Sequence, residues 1–193
     1  YCTQWNQWLI WDGVHWKRDD TFEIYRRAVE TVRAFHDEAQ KVYEQLKKAL
    51  LMENGGELNT PQKEELKQAE KRVKFARQSE NRNRLTAMID LAKTVAGVPV
   101  TVDQLDTDKH KINLLNGTYN LKTNELEPHS RNDLITKVAN VSYDPTATAT
   151  RWEQFVAEIM DNNRDMIEYI QRVMGLSLSG DTSEEYLYIS HGS

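Results

Sequence analysis

Residues 21–51 read TFEIYRRAVETVRAFHDEAQKVYEQLKKALL, and this stretch decides the fold. Its apolar residues fall at Tyr25, Val29, Val32, Phe35 or His36, Ala39, Val42 or Tyr43, Leu46 and Leu50. Steps of three and four lay them in one stripe along a helix that needs a partner to cover it. Asn54-Gly55-Gly56 supplies the residue types that end helices. Asp19-Asp20 suits the positive end of the same helix, and Asp37-Glu38 suits its solvent face.

Further along, Thr60-Pro61 predicts a second helix, with threonine as the cap and proline at the first helical position, where its missing N–H costs nothing. Leu66, Ala69, Val73 and Ala76 form its buried stripe. Ser79 caps a third helix through Leu85, Met88, Ile89 and Ala92, or the two run on as one, up to Gly97 and Pro99. Towards the other end, Trp8-Leu9-Ile10-Trp11, Asp12-Gly13 and Val14-His15-Trp16 read as a β-hairpin with Asp-Gly at the turn.

After Gly97 the pattern changes. Val98 to Val102 is β-branched and reads as extended. Lys111 to Leu115, Asn116-Gly117 and Thr118 to Leu121 read as a second hairpin. Leu134 to Val141 reads as a helix turning into a strand. Tyr143-Asp144-Pro145 and the Thr/Ala run to Thr150 mark a domain join, dividing the chain into 1–147 and 148–193. Arg151 to Met160 reads as a helix carrying Trp152, Phe155, Val156 and Ile159 on one face, with Trp152 expected in a core or interface. Asp161-Asn162-Asn163 breaks it, and Asp165 to Met174 forms another helix closed by Gly175. A loop from Ser177 to Ser183 leads to Tyr186–Ser190, a short apolar strand of the buried type. The expected class is α+β, mostly helical with small hairpins.

The 193 residues suffice for one domain and part of a second. Hydrophobic residues at 39 % and charged residues at 28 % describe a chain able to bury a core. No apolar run approaches bilayer length, and no charged-then-apolar leader opens the sequence, so no membrane partner and a cytoplasmic location are expected. The single cysteine, Cys2, excludes an internal disulfide and a Cys-x-x-Cys zinc site.

Net charge is −5, which gives no overall pull towards nucleic acid, but charge is unevenly spread. Thr60 to Lys93 holds nine Lys/Arg against five Asp/Glu, whereas Arg151 to Ser193 holds three against eight. Lys71, Arg72, Lys74, Arg77, Arg82 and Arg84 are the candidate DNA contacts, and Lys71, Lys74 and Arg77 share a helical face. A row of this kind grips phosphates without reading sequence. The alternative is a solvated face partly paired with Glu70 and Glu80. Trp5, Trp8, Trp11 and Trp16 could stack on bases, but a hairpin this rich in tryptophan needs something to bury them against.

Other chemistry finds little support. His15, His36, His110, His129 and His191 show no metal-ligand spacing. Asp161, Asn163 and Asp165 imitate the start of a calcium loop, which fails at Met166 and Arg172. No nucleophile and base pair up, so no catalytic residue is named.

Three segments together resemble the phage, plasmid and poxvirus primase-helicase family, whose motor is a superfamily-three helicase. Trp8-Leu9-Ile10-Trp11-Asp12-Gly13 with Trp16 resembles the opening of its pre-helicase domain. Asn116-Gly117-Thr118-Tyr119-Asn120-Leu121-Lys122-Thr123, with Thr136-Lys137 and Tyr143-Asp144-Pro145, is similar to its central β segment, although Asn120 stands where the family usually has aspartate. Glu185 to Ser193 resembles the first strand of an AAA+-like motor and the opening of its phosphate-binding loop, with Gly192 and Ser193 at the loop's start.

The resemblance implies a replication protein that forms a ring, engages single-stranded or forked DNA and unwinds duplex with ATP and Mg²⁺, with a primase domain as a further partner; the helices after 148 would begin the motor. With the loop incomplete, this chain itself is expected to need no cofactor and to hydrolyse nothing. Two rivals differ in class. One is a protein-interaction adaptor that never touches DNA. The other is a primase that makes primers itself, for which the strand-like segments offer only Asp103 and Asp106 as metal-binding carboxylates.

Overall fold

The computed structural model describes residues 1–53, 57–183 and 189. Among them five helices and two small antiparallel sheets make an α+β fold. The chain forms two compact units, Tyr1–Ile10 with Arg18–Val100, and Trp11–Lys17 with Thr101–Ser193. The expected strand Tyr186–Ser190 lies, apart from Ile189, outside the described residues, as do Asn54-Gly55-Gly56, Gly192 and Ser193.

The first unit is built on α1 (Glu23–Glu53), α2 (Thr60–Ser79) and α3 (Arg82–Ala92), with α1 packing along α2 and touching α3. Val32, Ala39 and Leu50 of the α1 stripe are buried, with Ala76 of α2 and Ile89 of α3; at the start of the helix Ala28 is buried where Val29 was expected, and Tyr25 is exposed. Val42 is exposed and Tyr43 half-buried, so the stripe follows the tyrosine. The Asp19 carboxylate accepts the amides of Glu23 (2.7 Å) and Ile24 (2.9 Å), which starts α1 two residues later than expected. Residues 1–3 and Val100 pair in parallel, with Thr3 N–H donating to Val100 O (3.0 Å) and Val100 N–H to Tyr1 O (2.8 Å). The extended reading of Val98 to Val102 therefore holds only around Val100, because Val98 N–H turns back to Val95 O and Val102–Gln104 is a 3-10 turn.

Two caps differ from expectation. Asn59, and not Thr60, caps α2: its side chain accepts from Gln62 N–H while the Gln62 side chain accepts from Asn59 N–H, both at 3.0 Å. Ser79 ends α2 instead of opening α3, its hydroxyl donating to Phe75 O (2.9 Å). Asn81 caps α3.

β1 (Leu9–Trp11) and β2 (Trp16–Arg18) form the first hairpin. Its loop holds four residues, wider than the two expected, because the Asp12 carboxylate accepts both Val14 and His15 N–H at 2.9 Å. Gly13 takes the positive φ of 106° that the turn needs. The hairpin tip belongs to the second unit, where Trp16 N–H donates to Ile135 O (2.8 Å) and its indole to Arg131 O (2.9 Å).

The second unit's sheet contains β3 (Lys111–Leu114), β4 (Gly117–Asn120) and β5 (Glu125–Glu127), each antiparallel to the next. Leu114 pairs with Gly117, so the turn residues are Leu115-Asn116, one place before the expected Asn-Gly. Gly117 is required for space: a Cβ there would stand 2.7 Å from Glu127 O and 2.8 Å from the Leu126 side chain. Gly117→Ala is expected to push β5 away and cost about 1–3 kcal/mol, the usual range for overpacking, read from urea unfolding. An unchanged midpoint would refute the close approach.

β5 was not expected, since Glu-Leu-Glu carries little strand signal. Its Glu127 carboxylate accepts from the Asn120 amide at 2.8 Å. That amide first, and Lys111 second, hold the Glu127 carboxyl below its ordinary range. Such a group stabilises the fold above its unfolded pKa, and the contribution is lost as pH falls through the lower folded value. Asn120→Asp removes the donor and opposes two carboxylates. The variant should be less stable than wild type at neutral pH, and the gap should close below about pH 4 as both protonate. A gap independent of pH in paired urea titrations would refute this.

Leu134 to Val141 forms neither helix nor strand. Its polar groups are taken singly instead of by a ladder. Ile135 O accepts from Trp16, Thr136 N–H donates to the Asp106 carboxylate (2.7 Å), Ala139 N–H donates to Asn113 O and Val141 O accepts from Leu115.

After it come α4 (Thr150–Ile159) and α5 (Arg164–Leu178). Asp161 and Asn162 take positive φ between them, and Asn163 caps α5. Gly175 does not stop α5. An interior glycine costs only about 1 kcal/mol against alanine, and the helix runs on to Leu178. Only Val156 of α4 is buried; Trp152, expected in a core or interface, is 45 % exposed and lies against Phe155.

Candidate nucleic-acid interface

The break between α2 and α3 is what creates the site. Glu80 N–H donates to Arg77 O and Asn81 N–H to Gln78 O, closing α2 in a tight turn. Asn81 then accepts from Asn83 N–H (2.9 Å) and opens α3 in a new direction. A continuous helix would have kept the basic residues in one row. The break instead brings Lys74 and Arg77 of α2 to Arg84 of α3.

These three cations, with Gln78, Asn81 and Asn83, line an open concavity of about 840 Å³. Every lining side chain carries N–H donors, and no carboxylate lines the cavity. Between Lys71 and Arg84 the chain has six cations and one carboxylate, Glu80.

Among the described residues some cations elsewhere take carboxylate partners, whereas others, such as Arg33, Lys41 and Lys48, do not. Arg26 and Arg27 pair with Glu23, Arg151 with Glu158, Arg164 and Arg172 with Glu168, and Lys111 with Asp133 and Glu127. Among the described residues none of Lys71, Arg72, Lys74, Arg77, Arg82 and Arg84 has an ion-pair partner. The pairing with Glu70 and Glu80 that the sequence allowed is not made. Arg84 is held by neutral groups, its guanidinium donating to Gln78 Oε1 (3.4 Å) and lying 5.5 Å from the centre of the Phe75 ring. Unpaired cations and free amides converging on one hollow suit an anion with several oxygens.

Not all six candidates meet there. Arg72 lies over the Phe35 ring at 5.7 Å, and neither Lys71 nor Arg82 lines the concavity. The expected row of Lys71, Lys74 and Arg77 is thus replaced by a cluster across the turn. Gln78, Asn81 and Asn83 were missed; the only sequence signal was asparagine's preference for helix caps.

The remaining candidates take structural places. Arg18 stacks on Trp5 at 4.5 Å, Trp8 packs on Tyr1, and Trp11 packs on Trp16, with all four tryptophans half-buried. Asp106 is occupied by Thr136, whose N–H and hydroxyl both donate to it. Among the described residues no group of three or more His, Cys, Asp or Glu is placed to hold a metal ion. No helix among them is long and apolar enough to cross a membrane.

The residues shared with the central β segment form one polar scaffold in the second unit. The Asn116 amide donates to Tyr143 O and accepts Tyr143 N–H, both at 2.9 Å, and the Tyr119 and Tyr143 rings lie 4.7 Å apart. Asn113 lies at the centre. Its amide nitrogen donates to Val14 O and Lys137 O, and its oxygen accepts from the Thr118 hydroxyl, all at 3.0 Å, and from His129 Nδ1 at 2.9 Å. Both carbonyls can only accept, so the amide's orientation is fixed, and His129 must carry its proton on Nδ1.

Comparison with known proteins gives one family: the model described as D5 N terminal like matches residues 1–161. No curated protein matches the chain.

Proposed function

Because the chain belongs to the D5 N-terminal-like family, a domain of D5-family helicase-primase proteins, we propose that it engages DNA for the helicase through phosphate contacts at the α2–α3 turn. Lys74, Arg77 and Arg84 supply charge, and Gln78, Asn81 and Asn83 supply neutral donors. Backbone contacts of this kind hold a strand in place without selecting sequence, as a helicase that travels along DNA requires. The observation that carries the reading is that Lys74, Arg77 and Arg84, none with an ion-pair partner among the described residues, line one concavity with no carboxylate in its lining.

The proposal divides the chain at 147/148. The later helices, α4 and α5, begin the motor and support self-association into a ring. Exposed Trp152, Phe155, Ile159, Met166 and Met174 favour that role, since apolar side chains of this number suit burial against another surface. In the whole helicase, Gly192 and Ser193 start the loop that takes ATP and Mg²⁺, and this chain carries no catalytic residue of its own.

The test is fluorescence anisotropy of a labelled oligonucleotide with wild type and a Lys74→Glu/Arg77→Glu/Arg84→Glu variant. Weaker binding by the variant is expected. Equal binding would favour the adaptor reading, in which the domain meets only protein.

A further inference from the structure

Beside the basic concavity, the same two helices leave a second, apolar groove of about 520 Å³. Phe75, Met88, Leu91 and Val95 line it, and Arg84 lines both hollows. Phe75 is 56 % and Leu91 67 % exposed, although the α1 stripe passes close by at Val32. The Phe75 ring meets Phe35 edge to face at 6.4 Å and lies 5.5 Å from the Arg84 guanidinium, and it still lines the groove.

From this pairing we infer that the groove receives an unstacked base of a single strand whose phosphates lie in the concavity. The inference rests on the phosphate reading above and adds a binding residue, Phe75, and a mode of contact, stacking of an unpaired base. Charge complementarity selects this occupant. An apolar ligand or helix would have to lie against Arg84, with Lys74 and Arg77 in the adjoining hollow, whereas a nucleotide matches both halves. It carries a negative phosphate and a flat apolar face a few ångströms apart, the same order as the 5.5 Å between the Arg84 guanidinium and the Phe75 ring. Stacking on an aromatic ring tolerates any base, in keeping with contacts that do not read sequence. A duplex keeps its bases stacked inside and can offer this groove nothing. Arg84 joins the two functions, its charge to the phosphate and its plane to the ring.

The experiment compares three labelled ligands of equal length: oligothymidylate, an abasic strand with the same phosphates, and a blunt duplex. Wild type should bind oligothymidylate about tenfold more tightly than the abasic strand, the usual scale for one stacked base. Phe75→Ala should abolish that difference, with at most a smaller loss, equal for abasic strand and duplex, from a less firmly held Arg84, and Phe75→Tyr should restore the difference. Equal binding of oligothymidylate and abasic strand by wild type would overturn the inference. So would a Phe75→Ala loss of equal size on all three ligands, which would mark Phe75 as structural. Self-association lost in Phe75→Ala, with oligothymidylate binding intact, would instead give the groove to a second copy of the chain. If Lys74→Glu/Arg77→Glu leaves abasic binding unchanged, the phosphate reading itself has failed, a result distinct from failure of the stacking step.

Discussion

Asn113→Ala is expected to lose about 3–4 kcal/mol of unfolding free energy, read as a lower urea midpoint at an unchanged slope. Asn113 is 6 % exposed and uses its whole amide, two donors on the nitrogen and two contacts on the oxygen. Removing it strands four partners at once: the carbonyls of Val14 and Lys137, the Thr118 hydroxyl, which is 1 % exposed, and His129 Nδ1. Each buried polar group left unpaired costs on the order of 1–3 kcal/mol, although water reaches the more open of these partners and reduces the total. A loss of this size is a large share of the stability of an ordinary domain. Asn113→Asp makes a useful companion, because a carboxylate keeps the acceptors for Thr118 and His129 but cannot donate to the two carbonyls. It should fall between wild type and the alanine variant only at acidic pH, where the carboxyl is protonated. A loss below about 1 kcal/mol for Asn113→Ala would show that the amide is not the centre of the second unit.

The second large effect is on binding. The Lys74→Glu/Arg77→Glu/Arg84→Glu variant should bind oligonucleotide at least about a hundredfold more weakly at low salt. Three attractions at close range become three repulsions, each worth on the order of 1 kcal/mol near a protein surface. The effect should shrink as salt rises, because screening weakens both versions of the contact. Lys71→Glu serves as the internal comparison. It carries the same charge change on the same helix but does not line the concavity, and should cost much less. Equal losses for Lys71 and for Lys74 would mean that net charge, and not the hollow, governs binding.

Periodicity made the helices legible and left their ends uncertain. The stripe from Val32 to Leu50 fixed α1, because burial of one face leaves a regular mark in sequence, while its first member, Tyr25, is exposed. The α2–α3 break was open because both outcomes place Leu66 to Ala76 and Leu85 to Ala92 on buried faces. The decision was made by the Ser79 hydroxyl and the Asn81 side chain, two local hydrogen bonds that leave no period. The site depends on that break, so its cations were legible as a cluster while its shape was not. Arg84 belongs to it through the turn, and Lys71 is left out despite sharing a helical face with Lys74.

The β segment shows the opposite balance. Asn116-Gly117 carries a turn signal and Tyr143 a boundary signal, but neither signal gives the partners of these residues or of Thr136. The structure supplies them: a side-chain clasp on Tyr143, a close approach to Glu127, a hydroxyl on Asp106. Asn120 follows the same logic. It faces Glu127, to which an amide can donate and an aspartate could not.

The account stands or falls on whether the α2–α3 hollow holds phosphates, and the salt dependence of binding measures that most directly. Affinity for oligothymidylate, plotted as log Kd against log salt, counts the counterions displaced by the protein. Three phosphate contacts predict that the wild-type slope exceeds that of the Lys74→Glu/Arg77→Glu/Arg84→Glu variant by about 2, at roughly 0.7 for each contact on a single strand. Parallel lines for the two proteins would contradict it, since the reversed residues would then have displaced no counterions and touched no phosphate.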